Sequence, residues 1–351
     1  MRQPKAFGTP KLLRPPRVDV HAAARERTGS ARAKQLTQLD EVDLKLLELL
    51  TANARMTNRD LAAAIGIGYA TVGARVRRLM DAHALTFAPV FDWERAGFDW
   101  FVIVKVVVAD RSARLVAADL AALPTCLAVA LVFGDSDVLC YFVAENRAEL
   151  HHLTTDLLPG IDGIATMAFD VATWTAMSPE GRSFFMAHNA AELHLPNPVI
   201  ELDILDTRII QELLVDGRHS NRRIARRLGV SEGTVRTRLQ RMVAARLLRV
   251  EAIIEPVTLG MVGALATLSM RVERRHLGAV VGEIERLPGI VFVATTLGSA
   301  DISATIAVRD QNEMVDLVKQ RLRALAGVRS IDTLQLVDVV KFTPYFKRLD
   351  P

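Results

Sequence analysis

The fold is decided by a stretch that occurs twice, as LDEVDLKLLELLTANARMTNRDLAAAIGIGYATVGARVRRLM at Leu39–Met80 and as LDILDTRIIQELLVDGRHSNRRIARRLGVSEGTVRTRLQRMV at Leu202–Val243. Extended to Leu39–Gly97 and Leu202–Gly260, the two copies lie 163 positions apart and are identical at 16 of 59 positions without a gap. Self-similarity at one fixed spacing indicates that a whole structural unit has been duplicated in tandem.

The first 50 residues or so of each copy have the pattern of short helices, with apolar residues three and four positions apart. Thr57 with Asp60 is a capping-box pattern, and Ser231 is a good N-cap for the third helix of the second copy. Gly66 and Gly229 follow the second helices, where a left-handed residue is needed. Three short helices with a glycine-containing turn before the third predict a helix-turn-helix in each copy.

The second part of each copy alternates strands and helices in the order strand, helix, strand, strand, helix, strand. The predicted elements of the first copy are Phe101–Ala109, Ser112–Leu123, Cys126–Phe133, Val138–Ala144, Arg147–Leu158 and Ile164–Trp174. Those of the second are Leu265–Val272, Gly278–Leu287, Ile290–Leu297, Ile302–Val308, Gln311–Leu325 and Ile331–Val340. This order predicts an α+β chain in which each helix-turn-helix is followed by a ferredoxin-like βαββαβ sheet. Helices cover one face of such a sheet, and the other copy is the expected partner for the bare face.

Charge and composition divide the 351 residues further. Residues 1–35 hold nine Lys and Arg against two acids, a net charge of +7, so the rest of the chain carries −3. They also contain four prolines and no sustained periodicity, which predicts a disordered basic arm. The arm is either a solvated extension without a partner or an electrostatic aid in binding an acidic polymer. The predicted domains are the arm (1–35), first helix-turn-helix (36–86), first ferredoxin-like domain (87–175), linker (176–198), second helix-turn-helix (199–249) and second ferredoxin-like domain (250–351).

The second helix-turn-helix concentrates positive charge. Residues 218–249 contain ten arginines and one acid, for +9, whereas the matching residues 55–86 carry only +3. Since the chain outside the arm is acidic on balance, the second unit must form a local positive surface. Such a surface predicts a polyanionic partner.

The motifs in order are Leu-Asp-x-x-Asp at 39–43 and 202–206, Asp-Gly-Arg-x-Ser-Asn at 216–221, Ile-Ala-x-x-Leu-Gly-Val-Ser at 224–231 and Thr-Val-x-x-Arg-Leu-x-Arg-Met at 234–242. Together with the domain order, they resemble the Lrp/AsnC family of feast/famine transcriptional regulators. The likeness covers nearly the whole chain outside the arm and linker, twice. Typical members carry one copy and dimerise, so this chain resembles a fused dimer. The resemblance implies double-stranded DNA as partner, a cytoplasmic, nucleoid-associated location without membrane contact, and further assembly into dimers or tetramers of chains.

The family places its third helix in the major groove of DNA. Val235, Leu239 and Met242 are the expected buried stripe of that helix. The DNA-binding residues expected in the second copy are Ser231, Glu232, Gly233, Thr234, Arg236, Thr237, Arg238 and Arg241, with Arg222 and Arg223 on the second helix for backbone contact. Those expected in the first copy are Gly68, Tyr69, Ala70, Thr71, Arg75 and Arg78. Two glycines in the third helix of the first copy, Gly68 and Gly73, each cost up to about 1 kcal/mol, so this copy either contacts DNA weakly or mainly supports the second.

Two turns in the sheet domains occupy matching places. They consist of Gly134, Asp135, Ser136 and Asp137 in the first copy and Gly298, Ser299, Ala300 and Asp301 in the second. By default, such a turn is structural, because glycine supplies a positive φ and aspartate caps backbone amides. The resemblance implies a second role, since the family's equivalent loop faces a pocket for an effector, with an amino acid as the expected ligand. Asp135 is matched by a serine, so two effector pockets need not be equivalent.

Nothing in the sequence indicates an enzyme. His151 and His152 are adjacent and point about 100° apart on a helix, so they do not form a chelating pair. The two cysteines, Cys126 and Cys140, are expected to pack as small apolar residues. We therefore expect no catalytic residue, no metal and no cofactor. Two alternatives stay open: an enzyme like the sirohaem decarboxylases, which share the fold and occur as tandem fusions, or a ligand sensor that has lost DNA binding.

Overall fold

The structure, a computed structural model, describes residues 12–13, 39–82, 84–183, 193–257, 259–343 and 345–349. Of the predicted basic arm, only Leu12–Leu13 (β1) falls within the described residues, and the prediction for the arm otherwise lies outside them. β1 pairs antiparallel with Leu193–His194 (β7). No helix within the described residues is both long enough and apolar enough to cross a membrane.

The remaining elements repeat in the predicted order. Those of the first copy are α1 (Glu41–Ala52), α2 (Asn58–Ile65), α3 (Tyr69–Asp81), β2 (Leu85–Asp92), α4 (Trp93–Ala96), β3 (Trp100–Val108), α5 (Ala113–Ala122), β4 (Cys126–Phe133), β5 (Val138–Ala144), α6 (Arg147–His152), a π-helical turn (Leu153–Leu157), β6 (Ile164–Met177) and α7 (Pro179–Ser183). Those of the second are α8 (Ile204–Val215), α9 (Asn221–Leu228), α10 (Glu232–Ala244), β8 (Leu248–Ile254), β9 (Ala264–Val272), a 3₁₀ turn (Arg274–His276), α11 (Leu277–Ile284), β10 (Ile290–Gly298), β11 (Ile302–Val308), α12 (Gln311–Val315), a π-helical turn (Asp316–Leu322), β12 (Val328–Phe342) and β13 (Phe346–Lys347).

Local signals place the helix ends as predicted. Thr57 and Asp60 form a reciprocal capping box at the start of α2, and Ser231 accepts a hydrogen bond from a backbone amide at the start of α10. Gly66 and Gly229 end α2 and α9 with φ of +80° and +69°, a conformation that only glycine adopts without strain.

The two ferredoxin-like sheets join into one closed eight-stranded barrel, in the order β10-β11-β9-β12-β4-β5-β3-β6. The second copy is therefore the partner of the first, as predicted. The copies pair with each other at two seams, β6 with β10 and β12 with β4. These seams are related by a pseudo-twofold axis. In one seam Trp174 lies opposite Thr295, and in the other Asp338 lies opposite Leu131. Asp338 is 164 positions after Trp174, and Leu131 is 164 positions before Thr295.

A separate three-stranded sheet, in the order β13-β2-β8, connects the barrel to the helix-turn-helix units. In it Ala88 lies opposite Glu251, and these residues are themselves 163 positions apart. The pseudo-twofold axis therefore passes through this sheet, which we call the hinge sheet. It contains one strand that follows each helix-turn-helix, so the two helix-turn-helix units are held against one another.

Apolar residues form separate cores on the two sides of the barrel wall. Val102, Val104 and Val106 of β3 pack outward against α5, and Ala266, Leu268 and Met270 of β9 pack outward in the same way in the second copy. Inward-facing residues join one large core that continues through the hinge sheet into both helix-turn-helix units. The first domain extends beyond its predicted end, because β6 runs on to Met177 and α7 follows in what the sequence indicated as linker.

Candidate DNA-binding surface and effector turns

The third helix of the second copy, α10, is exposed to solvent at its N-terminal end. Ser231 Oγ accepts a hydrogen bond from the backbone N–H of Thr234 at 3.0 Å. The predicted stripe of Val235, Leu239 and Met242 is buried against the other helices. On the opposite side Thr234 is half-buried. The other predicted contact residues on that side are exposed: Ser231, Glu232, Gly233, Arg236 and Thr237.

The third helix of the first copy, α3, presents different chemistry at the same place. Gly68 is its N-cap and gives no side-chain hydrogen bond. The placement of Gly68 inside this helix was therefore wrong, and only Gly73 weakens it. The exposed residues are Tyr69, whose exposed fraction is 63%, with Ala70 and Thr71. An aromatic side chain thus stands where the second copy has Glu232.

Four of the arginines predicted to contact DNA also hold the trihelical units together. Arg75 Nη1 lies 2.9 Å from Asp43, and Arg78 also pairs with that fully buried carboxylate. In the second copy Arg238 and Arg241 pair in the same way with buried Asp206, at 3.2 and 2.5 Å. Each arginine therefore lies between the helix-turn-helix core and solvent.

The N-cap aspartates complete these clusters. The hydrogen bond from Arg75 lowers the pKa of Asp40 below its ordinary value, and the same contact raises the pKa of Arg75. The pKa of Asp203 is lowered first by the backbone N–H of Asp206 and also by Arg238. The sequence carried a signal for this, since Leu-Asp-x-x-Asp stands at the same distance before the arginines in both copies.

The surface that remains for a polyanion differs sharply between the copies. Arg222, Arg223 and Arg226 on α9 and Arg236 on α10 are exposed and make no ion pair with any described residue. Their counterparts in the first copy, 163 positions earlier, are Arg59, Asp60, Ala63 and Gly73. These four positions carry +4 in the second copy and no net charge in the first. We call the four arginines the arginine surface.

Arg218 connects the two helix-turn-helix units directly. Its Nη2 donates a hydrogen bond to the backbone oxygen of Met56 at 2.8 Å, and its guanidinium lies 4.8 Å from the centroid of the Phe87 ring. Burial lowers the pKa of Arg218. Sequence reasoning counted this arginine as part of the positive surface, but it is a contact between copies.

Both predicted effector turns have aspartates that bind backbone. Asp137 Oδ2 accepts the N–H of Val108 at 2.7 Å, and Asp301 Oδ2 accepts the N–H of Val272 at 3.0 Å. Asp301 also lies 3.3 Å from the guanidinium of Arg274. These carboxylates therefore perform the structural role that such turns have by default.

The two turns are not equivalent. In the second, Ser299 Oγ and the N–H of Ala300 donate to the carboxylate of Asp170 at 3.0 and 2.9 Å, so the first copy holds the turn of the second. Asp170 is buried and pairs with buried Lys105 at 3.1 Å. Leu334 stands at the position related to Asp170, and accordingly Gly134, Asp135 and Ser136 lie exposed or half-buried beside an apolar neighbour.

Residues suited to metal or covalent chemistry are dispersed. In the part of the chain that the structure describes, no three His, Cys, Asp or Glu side chains are grouped to hold a metal. Cys126 and Cys140 are buried, and burial raises the pKa of the Cys126 thiol to about 12. His152 pairs with Asp156 at 2.7 Å on the surface.

Two helix-turn-helix units attached through a hinge sheet to a barrel of paired βαββαβ domains define the architecture of a ligand-linked transcriptional regulator. The model of the AsnC-type helix-turn-helix domain matches residues 39–80 and 202–243, and that of the Lrp/AsnC ligand binding domain matches residues 100–175 and 265–346. The chain belongs to the Lrp/AsnC family and carries both of its domains twice.

Curated relatives match one unit of this chain. An HTH-type transcriptional regulator of Pyrococcus abyssi is 31% identical over 144 residues, which are 41% of this chain and 90% of the relative. The leucine-responsive regulatory protein of Rhizobium meliloti is 28% identical over 134 residues, which are 37% of this chain and 86% of that protein.

A solved structure matches nearly the full length. The siroheme decarboxylase NirDL covers 88% of this chain and 95% of its own with a TM-score of 0.59, and its complex with an iron-uroporphyrin III analogue covers 86% and 93% with a TM-score of 0.58. Sequence identity is 15% in both cases, so the likeness shows a shared tandem fold and nothing of the chemistry.

Proposed function

We propose that this protein is a transcriptional regulator that binds double-stranded DNA chiefly through its second helix-turn-helix. The observation that carries the proposal is the arginine surface, four exposed arginines that pair with no described acid. Unpaired surface arginines on a helix-turn-helix are suited to DNA phosphates, which supply most of the affinity and fix the orientation of the protein. The N-terminal end of α10 then lies free to contact base edges.

The test compares two sets of charge-removing variants of the full chain. DNA fragments are first selected from the host genome with the purified protein, and affinity is then measured by fluorescence anisotropy as salt is varied. Changing Arg222, Arg223, Arg226 and Arg236 to Gln should lower the slope of log K against log salt by about 0.9 for each phosphate that the protein no longer neutralises. The control is Arg59→Gln with Arg77→Gln, which removes exposed arginines from the first copy and should change the slope little.

Equal losses of affinity from the two sets would refute the preference for the second copy. Undetectable binding by the wild-type chain to every selected fragment would favour the alternative, a ligand sensor without DNA binding. Arg238 and Arg241 are unsuitable for this test, because their removal also exposes the buried charge of Asp206.

The proposal includes control by an amino acid or a related small metabolite bound near the turns of the sheet domains. Its support is the match to the Lrp/AsnC ligand binding domain. A ligand changes DNA affinity only if it binds one arrangement of the protein better than another, and a difference of about 1–3 kcal/mol gives about 5- to 150-fold modulation.

Screening the amino acids by thermal shift, followed by DNA titration with each hit, tests this control. Asp135→Ala and Ser299→Ala are suitable variants, since neither side chain bonds to the backbone of a strand. Each should reduce the ligand response while ligand-free DNA affinity stays unchanged. If no amino acid shifts melting or DNA affinity, the effector proposal is wrong.

The full-length likeness to NirDL favours a second candidate, an enzyme acting on a tetrapyrrole. Against it, the cavity inside the barrel measures about 120 Å³, and none of the described residues that line it is His or Arg. An engineered cavity of about 150 Å³ holds a single benzene ring, so a tetrapyrrole would fit in this cavity only if the barrel opened. A haem-like absorption band that appears when a tetrapyrrole is added to the purified chain would support this candidate over the regulator.

A further inference from the structure

The cavity inside the barrel lies on the pseudo-twofold axis, at the end nearest the hinge sheet. Its walls include both members of four residue pairs that are 164 positions apart: Phe101 and Leu265, Leu127 and Val291, Ala128 and Phe292, and Tyr141 and Thr305. In a symmetric dimer, the members of each pair would be identical. Because this chain is a fusion, the two sides of the cavity differ, and in three of the four pairs one member is aromatic and the other is not.

One end of the cavity is polar although most of its lining is apolar. Lys347 lines it and is 1% exposed, with its ammonium 4.3 Å from the centroid of the Phe342 ring. Thr343 also lines it, and its buried hydroxyl oxygen has no hydrogen-bond partner among the described residues. A buried polar atom without a partner destabilises the folded protein, and such atoms in native proteins call for an explanation.

The second copy alone supplies this polar end. After its last barrel strand the chain forms β13, which adds to β2 and brings Lys347 beneath the hinge sheet. After the last strand of the first copy, the chain forms the short helix α7 instead. The polar end is therefore a feature of the fused chain rather than of the repeated unit.

The charge state of Lys347 depends on what stands beside it. Burial lowers the pKa of this amine to about 7, while Glu251 on β8 acts in the opposite direction. An anion in the cavity would favour the protonated amine, and the Thr343 hydroxyl could donate a second hydrogen bond.

We propose that this cavity binds a small monocarboxylate with an apolar body, its carboxylate held by Lys347 and Thr343 and its body packed among the aromatic walls. Since a cavity of about 150 Å³ holds one benzene ring, this volume suits about five or six non-hydrogen atoms, the size of a short branched-chain acid such as isobutyrate. This site is distinct from the two turns, and binding at it does not depend on DNA.

Binding is tested on the intact chain with isobutyrate, and with isobutyramide as a neutral probe of the same shape. Calorimetry gives the affinity, and Trp93 gives an optical signal, because it lines the cavity whereas Trp100 and Trp174 do not. Isobutyrate should bind more tightly than isobutyramide. Lys347→Met keeps the volume but removes the charge, so isobutyrate should lose about 10- to 100-fold in affinity while isobutyramide changes little. Thr343→Val should weaken isobutyrate binding to a smaller extent.

A filling variant shows where the probe binds. Ala130→Leu adds bulk to the cavity wall and should abolish binding of both probes, whereas Ala294→Leu changes the pseudo-twofold-related residue, which does not line the cavity, and should retain it. Melting curves confirm that each variant is folded. The proposal is overturned if neither probe binds, if isobutyrate and isobutyramide bind equally, or if Lys347→Met leaves isobutyrate affinity unchanged.

Discussion

Removal of Asp170 should destabilise the barrel more than removal of Lys105, although the two form one buried ion pair at 3.1 Å. Without Asp170, the hydroxyl of Ser269, 3.1 Å away, is the one hydrogen-bond partner that the ammonium of Lys105 keeps among the described residues, and the N–H of Ala300 loses its acceptor. Without Lys105, the carboxylate of Asp170 still accepts from Ser299 and Ala300. The order of the two effects follows from the partners that remain to each group.

Breaking a buried pair on one side costs about 3–5 kcal/mol. The loss in free energy of unfolding should therefore lie at or above the upper end of that range for Asp170→Leu and near its lower end for Lys105→Met. A domain of this size loses about 2–4 °C of melting temperature per kcal/mol, so the drops should be about 6–20 °C. The double variant removes both charges together and should recover much of the stability, because a well-packed apolar pair is often as stable as a buried ion pair.

Urea denaturation of the full chain, followed by circular dichroism, gives the free energies for a double-mutant cycle. The reasoning is refuted if the double variant is as unstable as the sum of the single variants, which would mean that the two charges are not coupled. It is also refuted if Lys105→Met is the more damaging substitution.

Three further outcomes follow from burial and exposure. Cys126 and Cys140 should resist iodoacetamide at pH 8 in the folded protein and react in denaturant, since burial raises the pKa of both thiols. Burial lowers the pKa of Lys347 from 10.5 to about 7, so between pH 7 and pH 10.5 the unfolded chain binds a proton that the folded chain lacks. The free energy of unfolding should therefore rise with pH across this range. Denaturation measured at several pH values should show this rise in the wild type and not in Lys347→Met. Phe133 and Leu297 are exposed apolar residues at matching positions, 164 apart, in the two copies. Changing both to Ser should reduce assembly into dimers or tetramers of chains, as measured by light scattering. A wild-type chain that is only monomeric at micromolar concentration would contradict that assembly.

Local patterns allowed much of the fold to be predicted. The capping box at Thr57, the N-cap at Ser231 and the left-handed glycines at Gly66 and Gly229 depend on residues within a few positions of one another, so a linear sequence displays them. The pairing of the two sheet domains followed from the duplication and the need to cover a bare face. Gly68 was misplaced by one position because it lies at the boundary of a helix, where pattern alone is least informative.

The parts of the fold and of the candidate site that the sequence did not predict depend on contacts between residues far apart in the chain. Lys105 meets Asp170 only because β3 and β6 pair, and Asp170 meets Ala300 only because the barrel closes across the copies. Arg238 was predicted to contact DNA because it lies on the third helix, and only the structure shows that Asp206 on another helix also holds it. No periodicity in one segment reveals which charge in another will neutralise it, so the arginine surface could be separated from the structural arginines only in three dimensions.

The fusion of two unlike helix-turn-helix units determines the symmetry of the DNA site that the proposed regulator would bind. A dimer of identical subunits presents the same helix twice and calls for an inverted repeat in its target. Here one unit offers Tyr69, Ala70 and Thr71 and the other Glu232, Gly233 and Thr234, and both are fixed in one chain. The DNA site contacted by one chain should consequently lack palindromic symmetry and have a polarity, which a symmetric assembly of chains would then repeat in the opposite orientation.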